Sequence, residues 1–156
     1  MSGPTQSLYA YAGGEDAMRR LAAAHYRRCL TDPVLSEVFG TVGHPGHVKR
    51  LADWMGEVLG GPKRHTERHG GHAALLAAHA GRAITEAQRV RFVEAFEAAA
   101  DEAALPAEPR FRAALRAYVE WGTAIARDVS QPGADTSSDE PVPLWTWDGL
   151  ARPGRH

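Results

Sequence analysis

Cysteine occurs once, at Cys29, so no disulfide can form within the chain and an oxidising compartment is not indicated. Charge of one sign is missing too. The net charge is −1, and the basic residues (Arg19, Arg27, Arg28, Lys49, Arg50, Lys63, Arg64, then Arg82 to Arg91) are scattered, with no basic stripe interleaved with aromatics. That speaks against nucleic acid and against an anionic membrane surface as partners. No apolar run approaches the roughly 20 residues needed to span a bilayer. The opening "MSGPTQSLYAYAGG" lacks a basic start followed by an apolar stretch, so no secretory leader is expected and a cytoplasmic location is. Period-two alternation is almost absent and β-branched residues are sparse, which leaves little room for strands.

Alanine and apolar residues spaced three and four apart fill the chain instead, and 156 residues suffice for one domain with a full core. The pattern predicts helices over about 7–11, 15–30, 45–59, 86–103 and 109–129, with a short one in "TDPVLSEVFG" capped by Asp32 and carrying Pro33 in its first turn. Gly60-Gly61-Pro62 stops the pattern over 45–59. Thr85 with Gln88 has the form of a capping box. "KRHTERHGG" reads as a polar loop, and the tail from 130 onward, rich in Pro, Gly, Ser and Asp, as irregular, with "VPLWTW" apolar enough to dock. The expectation is an all-α fold: a flexible N-terminus over 1–6, one helical domain over 7–129 and a tail over 130–156.

Three ring-bearing side chains stand out because they sit on apolar helix faces. His79 ends the alanine- and leucine-rich "GGHAALLAAH", on the same side as Leu75 and Leu76. A core histidine bonded to a carbonyl would look the same; so would an axial metal ligand, one nitrogen given to iron and the other to a backbone carbonyl. Tyr26 lies on the apolar side of its helix between His25 and Cys29, either satisfied locally or aimed into a ligand pocket. His47, one turn before Leu51, is a solvated first-turn residue or a group over that same pocket. His65, His69 and His72 form an H-x3-H-x2-H run that could suggest zinc, but without cysteine a solvated loop is the simpler reading. Cys29, in an apolar stripe away from any helix N-terminus, is expected to be inert.

The order of these features resembles one family, the group II truncated haemoglobins, short globins with two helices stacked over two around haem. The likeness runs from about Leu8 to Val129 and rests on "LYAYAGGEDAMRRL", "HYRRCLTDPVLSEVF", "WMGEVLGGPKRHTERHGGHAALLAAH", "ITEAQRVRF" and "FRAALRAYVEWG". It implies a globin-like, two-over-two helical sandwich holding haem b. It makes His79 the proximal iron ligand and Tyr26 the distal hydroxyl. Phe39 becomes the aromatic against the haem, His47 the distal-helix residue facing the ligand, and Leu51 the next inward position. Trp54, Leu75 and Leu76 would line the slot, and Arg82, by its charge and nearness, would partner a propionate. Where the family usually has tryptophan this chain has Phe92, which keeps the bulk and loses an N–H donor. His47 stands where the family is often small or apolar, and there it restores a donor or coordinates iron itself.

The implied function is reversible binding of O2, with NO and CO as further ligands, and NO dioxygenase or peroxidase-type activity as extensions served by an unidentified reductase. The protein would be a monomer or a homodimer. Two other readings stay open: a haem enzyme acting on a specific organic substrate in a distal pocket made apolar by Phe92, and a helical interaction module without haem that uses the "VPLWTW" tail.

Overall fold

A computed structural model describes residues 6–151, so the outermost parts of the expected flexible N-terminus and of the tail lie outside the described residues. Among the described residues eight helices follow one another: α1 (Leu8–Ala12), α2 (Gly14–Thr31), α3 (Ser36–Phe39), α4 (His47–Val58), α5 (Arg64–His69), α6 (Gly71–His79), α7 (Glu86–Glu102) and α8 (Pro109–Val129). The long ones make two layers. α2 packs on α4 and on α7, and α7 packs on α8. The core runs between them through fully buried Leu8, Met18, Leu21, Met55, Val58 and Phe111. Burying each such side chain contributes roughly 1.5–3 kcal/mol, which is why the apolar spacing in the sequence dictates these contacts.

The helix ends are explained by local chemistry. Thr85 Oγ1 accepts from the Gln88 N–H at 3.1 Å while Gln88 Oε1 accepts from the Thr85 N–H at 2.9 Å, completing the expected capping box on α7. Glu108 caps α8 by accepting from the N–H groups of Arg110 and Phe111, with Pro109 in the first turn. After α4 the chain turns through Gly60 and Gly61. A Cβ on Gly61 would stand 2.7 Å from the Tyr9 ring and 2.8 Å from the Gly56 carbonyl, so only glycine lets α1 close over this corner.

Four expectations need correction. "KRHTERHGG" is not a loop but contains α5. The Glu57 carboxylate of α4 accepts from the Thr66 N–H at 2.8 Å and from the Thr66 hydroxyl. A first-turn amide of α5 is therefore satisfied from another helix, an arrangement no local pattern shows. Asp32 does not cap α3. Its carboxylate accepts from the N–H groups of Val34 and Leu35 and shapes the turn that precedes that helix. The second long helix, α4, starts at His47, two residues later than expected. The tail is not wholly irregular: β1 (Trp145–Thr146) and β2 (Gly149–Leu150) form a small antiparallel hairpin with Trp145 opposite Leu150. Trp145 is 6% exposed, and its Nε1 donates to the Ala114 carbonyl at 3.1 Å. The Trp147 Nε1 donates to the carbonyl of Gln6 at 2.9 Å, so the tail lies across α8 and back to the chain's start. Among the described residues no helix is long and apolar enough to cross a membrane.

Candidate haem site

A cavity of about 480 Å³ opens between the two layers, within the range of small-molecule and cofactor pockets. One side is α6, which presents Ala74, Leu75, Ala78 and His79. Facing it are Tyr26 from α2, Phe39 from α3, and His47 and Leu51 from α4, and Phe92 of α7 closes the end. Residues from five helices thus share one space. Trp54 and Leu76, expected in the slot, are not part of its lining. Trp54 instead packs edge-on against His65, with ring centroids 5.0 Å apart, and stacks on His72. Leu76 is buried on the inner side of α6, since one helix turn cannot direct Leu75 and Leu76 to the same surface.

The chemistry of His79 is set by one bond. Its Nδ1 lies 2.9 Å from the Leu75 carbonyl, one turn back on α6. A carbonyl can only accept, so Nδ1 carries the proton and Nε2 keeps its lone pair. Burial lowers the pKa of the ring, the Leu75 carbonyl partly opposes that, and the positive charge of Arg82 adds to the lowering. The side chain is therefore a neutral, oriented nitrogen donor at neutral pH.

Across the cavity, the backbone N–H of His44 donates to the Tyr26 hydroxyl at 2.9 Å, which occupies an oxygen lone pair and leaves the O–H free to donate. The rings of Tyr26 and His47 stack at 3.9 Å and 20°. His47 is pushed down to about 4, first by burial and then by the positive charge of Arg50 and by His44 and Arg82, so it too is neutral. Phe39 and Phe92 stack at 6.1 Å and make the adjoining corner apolar.

Several lining residues escaped the sequence reading. His25 is 1% exposed, and its Nε2 donates to the Phe92 carbonyl across a long 3.4 Å. Burial pushes it down to about 4. Arg50, whose NH2 reaches His44 Nδ1 at 3.1 Å, stands at the rim with Arg82, whose Nε donates to the Ala78 carbonyl. Arg89 is the third guanidinium, and among the described residues no aspartate or glutamate lines the cavity. Arg89 pairs with Glu86, whereas Arg50 and Arg82 have no carboxylate partner among the described residues. Arg82 was expected beside a propionate; the only sequence signal of Arg50 was charge near a histidine, which many surface residues share.

The histidine run resolves differently. His65 is buried, with its Nε2 donating to the Gly71 carbonyl at 2.8 Å, and His69 reaches the Asp53 carboxylate at 2.9 Å. Among the described residues no group of three or more His, Cys, Asp or Glu is arranged to hold a metal ion. Cys29 is buried, and its thiol is pushed up to about 12, chiefly by that burial and then by Asp32.

Helices in this order, layered two on two around a cavity floored by a histidine, define a globin-type fold. The sequence matches the model for "Bacterial-like globin" over residues 7–117, and the chain belongs to that family. Solved structures agree. It is 29% identical to the haemoglobin of the thermophilic phototroph Chloroflexus aurantiacus, covering 81% of this chain and 98% of that one at a TM-score of 0.67. The group II two-on-two haemoglobin of Agrobacterium tumefaciens is 27% identical, with 85% and 99% covered and a TM-score of 0.68. The truncated oxygen-avid haemoglobin of Bacillus subtilis is 25% identical, with 81% and 100% covered, also at 0.68. No curated protein matches the sequence. The fold is that of the group II truncated, two-over-two haemoglobins.

Proposed function

We propose that the chain binds haem b in this cavity, with His79 as its proximal ligand, and reversibly takes up O2, with NO and CO as further ligands. The observation that carries the reading is the His79–Leu75 bond, which leaves Nε2 as an oriented lone pair over a mostly apolar floor. The group fits the residues present in two further respects. The slot is walled by Phe39, Leu51, Leu75 and Phe92, and the two carboxylates of haem would find at its rim Arg50 and Arg82, which lack carboxylate partners among the described residues. When bound, haem would supply an iron that can take up a diatomic ligand.

The chain's own residues do the rest. Tyr26 donates its free O–H into the distal space, and His47 offers a neutral ring beside it. A hydrogen bond to a ligand carrying partial negative charge is worth roughly 1.5–3 kcal/mol, so this pair favours O2 over neutral CO. Phe39 and Phe92 exclude water from the remainder. NO dioxygenation and peroxidase-type chemistry are the reactions that such donors assist, and turnover would draw electrons from an external reductase. A relative described as oxygen-avid supports the O2 reading. A cytoplasmic setting accords with a lone, buried cysteine. The stacked Phe39–Phe92 corner favours one second reading, a haem enzyme with an apolar organic substrate, recognisable by a substrate-induced shift of the haem spectrum.

The test is the UV–visible spectrum of the protein reconstituted with haem, in ferric, ferrous and CO forms, beside His79→Ala. A histidine-ligated spectrum that His79→Ala abolishes and added imidazole restores is the expected result. Failure of the wild-type chain to take up haem in one-to-one ratio would overturn the reading.

A further inference from the structure

α6 is weakly held for a helix that carries a metal ligand. Of its nine residues only Leu76 is buried, and Gly70 before it provides no side-chain cap. Because the His79 ring is tied to Leu75 within the same helix, the ring goes where the helix end goes. What holds that end is the segment behind it, 80–84, and its tethers lead to the end of α8. The Ala83 N–H donates to the Ser130 carbonyl at 2.8 Å. The Ile84 N–H donates to Ser130 Oγ at 2.9 Å. Gln131 Nε2 donates to the Ile84 carbonyl at 2.9 Å. Ser130 is fully buried, and its own hydroxyl donates to the Arg127 carbonyl at 2.7 Å, which turns its lone pairs toward Ile84. Ala83 adopts a φ of 50°, a left-handed conformation that a residue with a Cβ keeps only where its surroundings over-determine it. The clamp supplies that constraint. Arg82, between clamp and helix, bonds back to the Ala78 carbonyl and passes the restraint into the last turn of α6.

We propose that Ser130 and Gln131, which close α8 beyond the residues matched by the family model, are positioning residues for His79: they anchor the segment behind α6 and so set the angle at which the imidazole meets the iron. This rests on the haem reading above. Two measurements on the full chain test it, using Ser130→Ala and, because Ser130 is buried, the exposed Gln131→Ala as a variant that leaves the core intact. The first is amide hydrogen exchange of the chain before haem is added. Each variant should speed exchange at Ala83 and Ile84 about tenfold, the worth of roughly one hydrogen bond, and leave α2 and α7 unchanged. The second is the iron–histidine stretching band of the ferrous haem-loaded protein, which should shift or broaden in both variants but not in Ser137→Ala, a tail change away from the clamp. Unaltered exchange at both amides overturns the clamp. An unmoved band in variants whose amides have opened overturns the positioning role and leaves a local brace. A wild-type chain that takes up no haem overturns the haem reading, and this role with it.

Discussion

The imidazole of His47 lies flat against the phenol of Tyr26, 3.9 Å between ring centres and 20° between planes. Two polar groups from different helices therefore present one edge to the cavity, and neither is free to turn away without breaking the stack. The Tyr26 oxygen is already engaged by the His44 N–H, so its proton is the part left to give. Replacing Tyr26 by phenylalanine should speed O2 release by about tenfold or more, the equivalent of one hydrogen bond to a partly charged acceptor. Stopped-flow displacement of O2 measures it, and an unchanged rate removes the phenol from the ligand's environment.

Acid should weaken the fold through His25. Its folded pKa is about 4 against an ordinary 6.5, because burial opposes its charged form. Between these values the unfolded chain binds a proton that the folded chain refuses. The stabilisation is thus complete above about pH 6.5 and is lost as pH falls toward 4. At pH 5 the linkage amounts to about 2 kcal/mol relative to pH 7. His25→Leu should flatten the pH dependence of the urea midpoint over this range. A variant that loses stability as steeply as the parent would assign the effect to other groups.

Arg50 and Arg82 should matter for retention of haem and little for folding. Both stand at the cavity rim without a carboxylate partner among the described residues, so removing them costs no native ion pair. Arg50→Leu and Arg82→Leu are each expected to raise the rate of haem loss to an acceptor globin several-fold, with unfolding midpoints unchanged. Equal rates of loss would deny these two cations a part in holding the carboxylates.

The tail should carry real stability. Trp145 is buried against Trp121 and Tyr118, 5.3 and 6.2 Å between ring centres, and hydrogen-bonded to Ala114. Trp145→Ala removes a large buried ring, a change that typically costs 3–5 kcal/mol. Urea unfolding that shifts by less than about 1 kcal/mol would mean the hairpin rides on the surface without supporting it.

Some of this was legible in residue order alone, for definite reasons. The limits of α7 and α8 follow from a capping box and an N-terminal proline, both of which are local chemistry, and the observed elements begin at the expected positions. Apolar spacing placed α2 and α8, and the core buries Met18 and Leu21 of the one and Phe111 and Leu115 of the other, because burial of such side chains is the largest favourable contribution on offer. His79, Tyr26 and His47 could be singled out because a polar ring on an apolar stripe is costly unless it has a partner.

What chain order did not contain was everything settled between segments. α5 exists because Glu57 of α4 satisfies the Thr66 N–H in its first turn, and the two short strands because Trp145 finds a bed on α8. Trp54 and Leu76 left the cavity wall because helix rotation, set by packing, decides which of two neighbouring residues faces inward. Arg50 and Arg82 became a pair only when α4 and the end of α6 met at one rim. Sequence determined which apolar side chains had to be buried and where α7 and α8 begin; tertiary structure alone decided which of the polar ones face each other, since hydrogen-bond partners many residues apart leave no periodic trace.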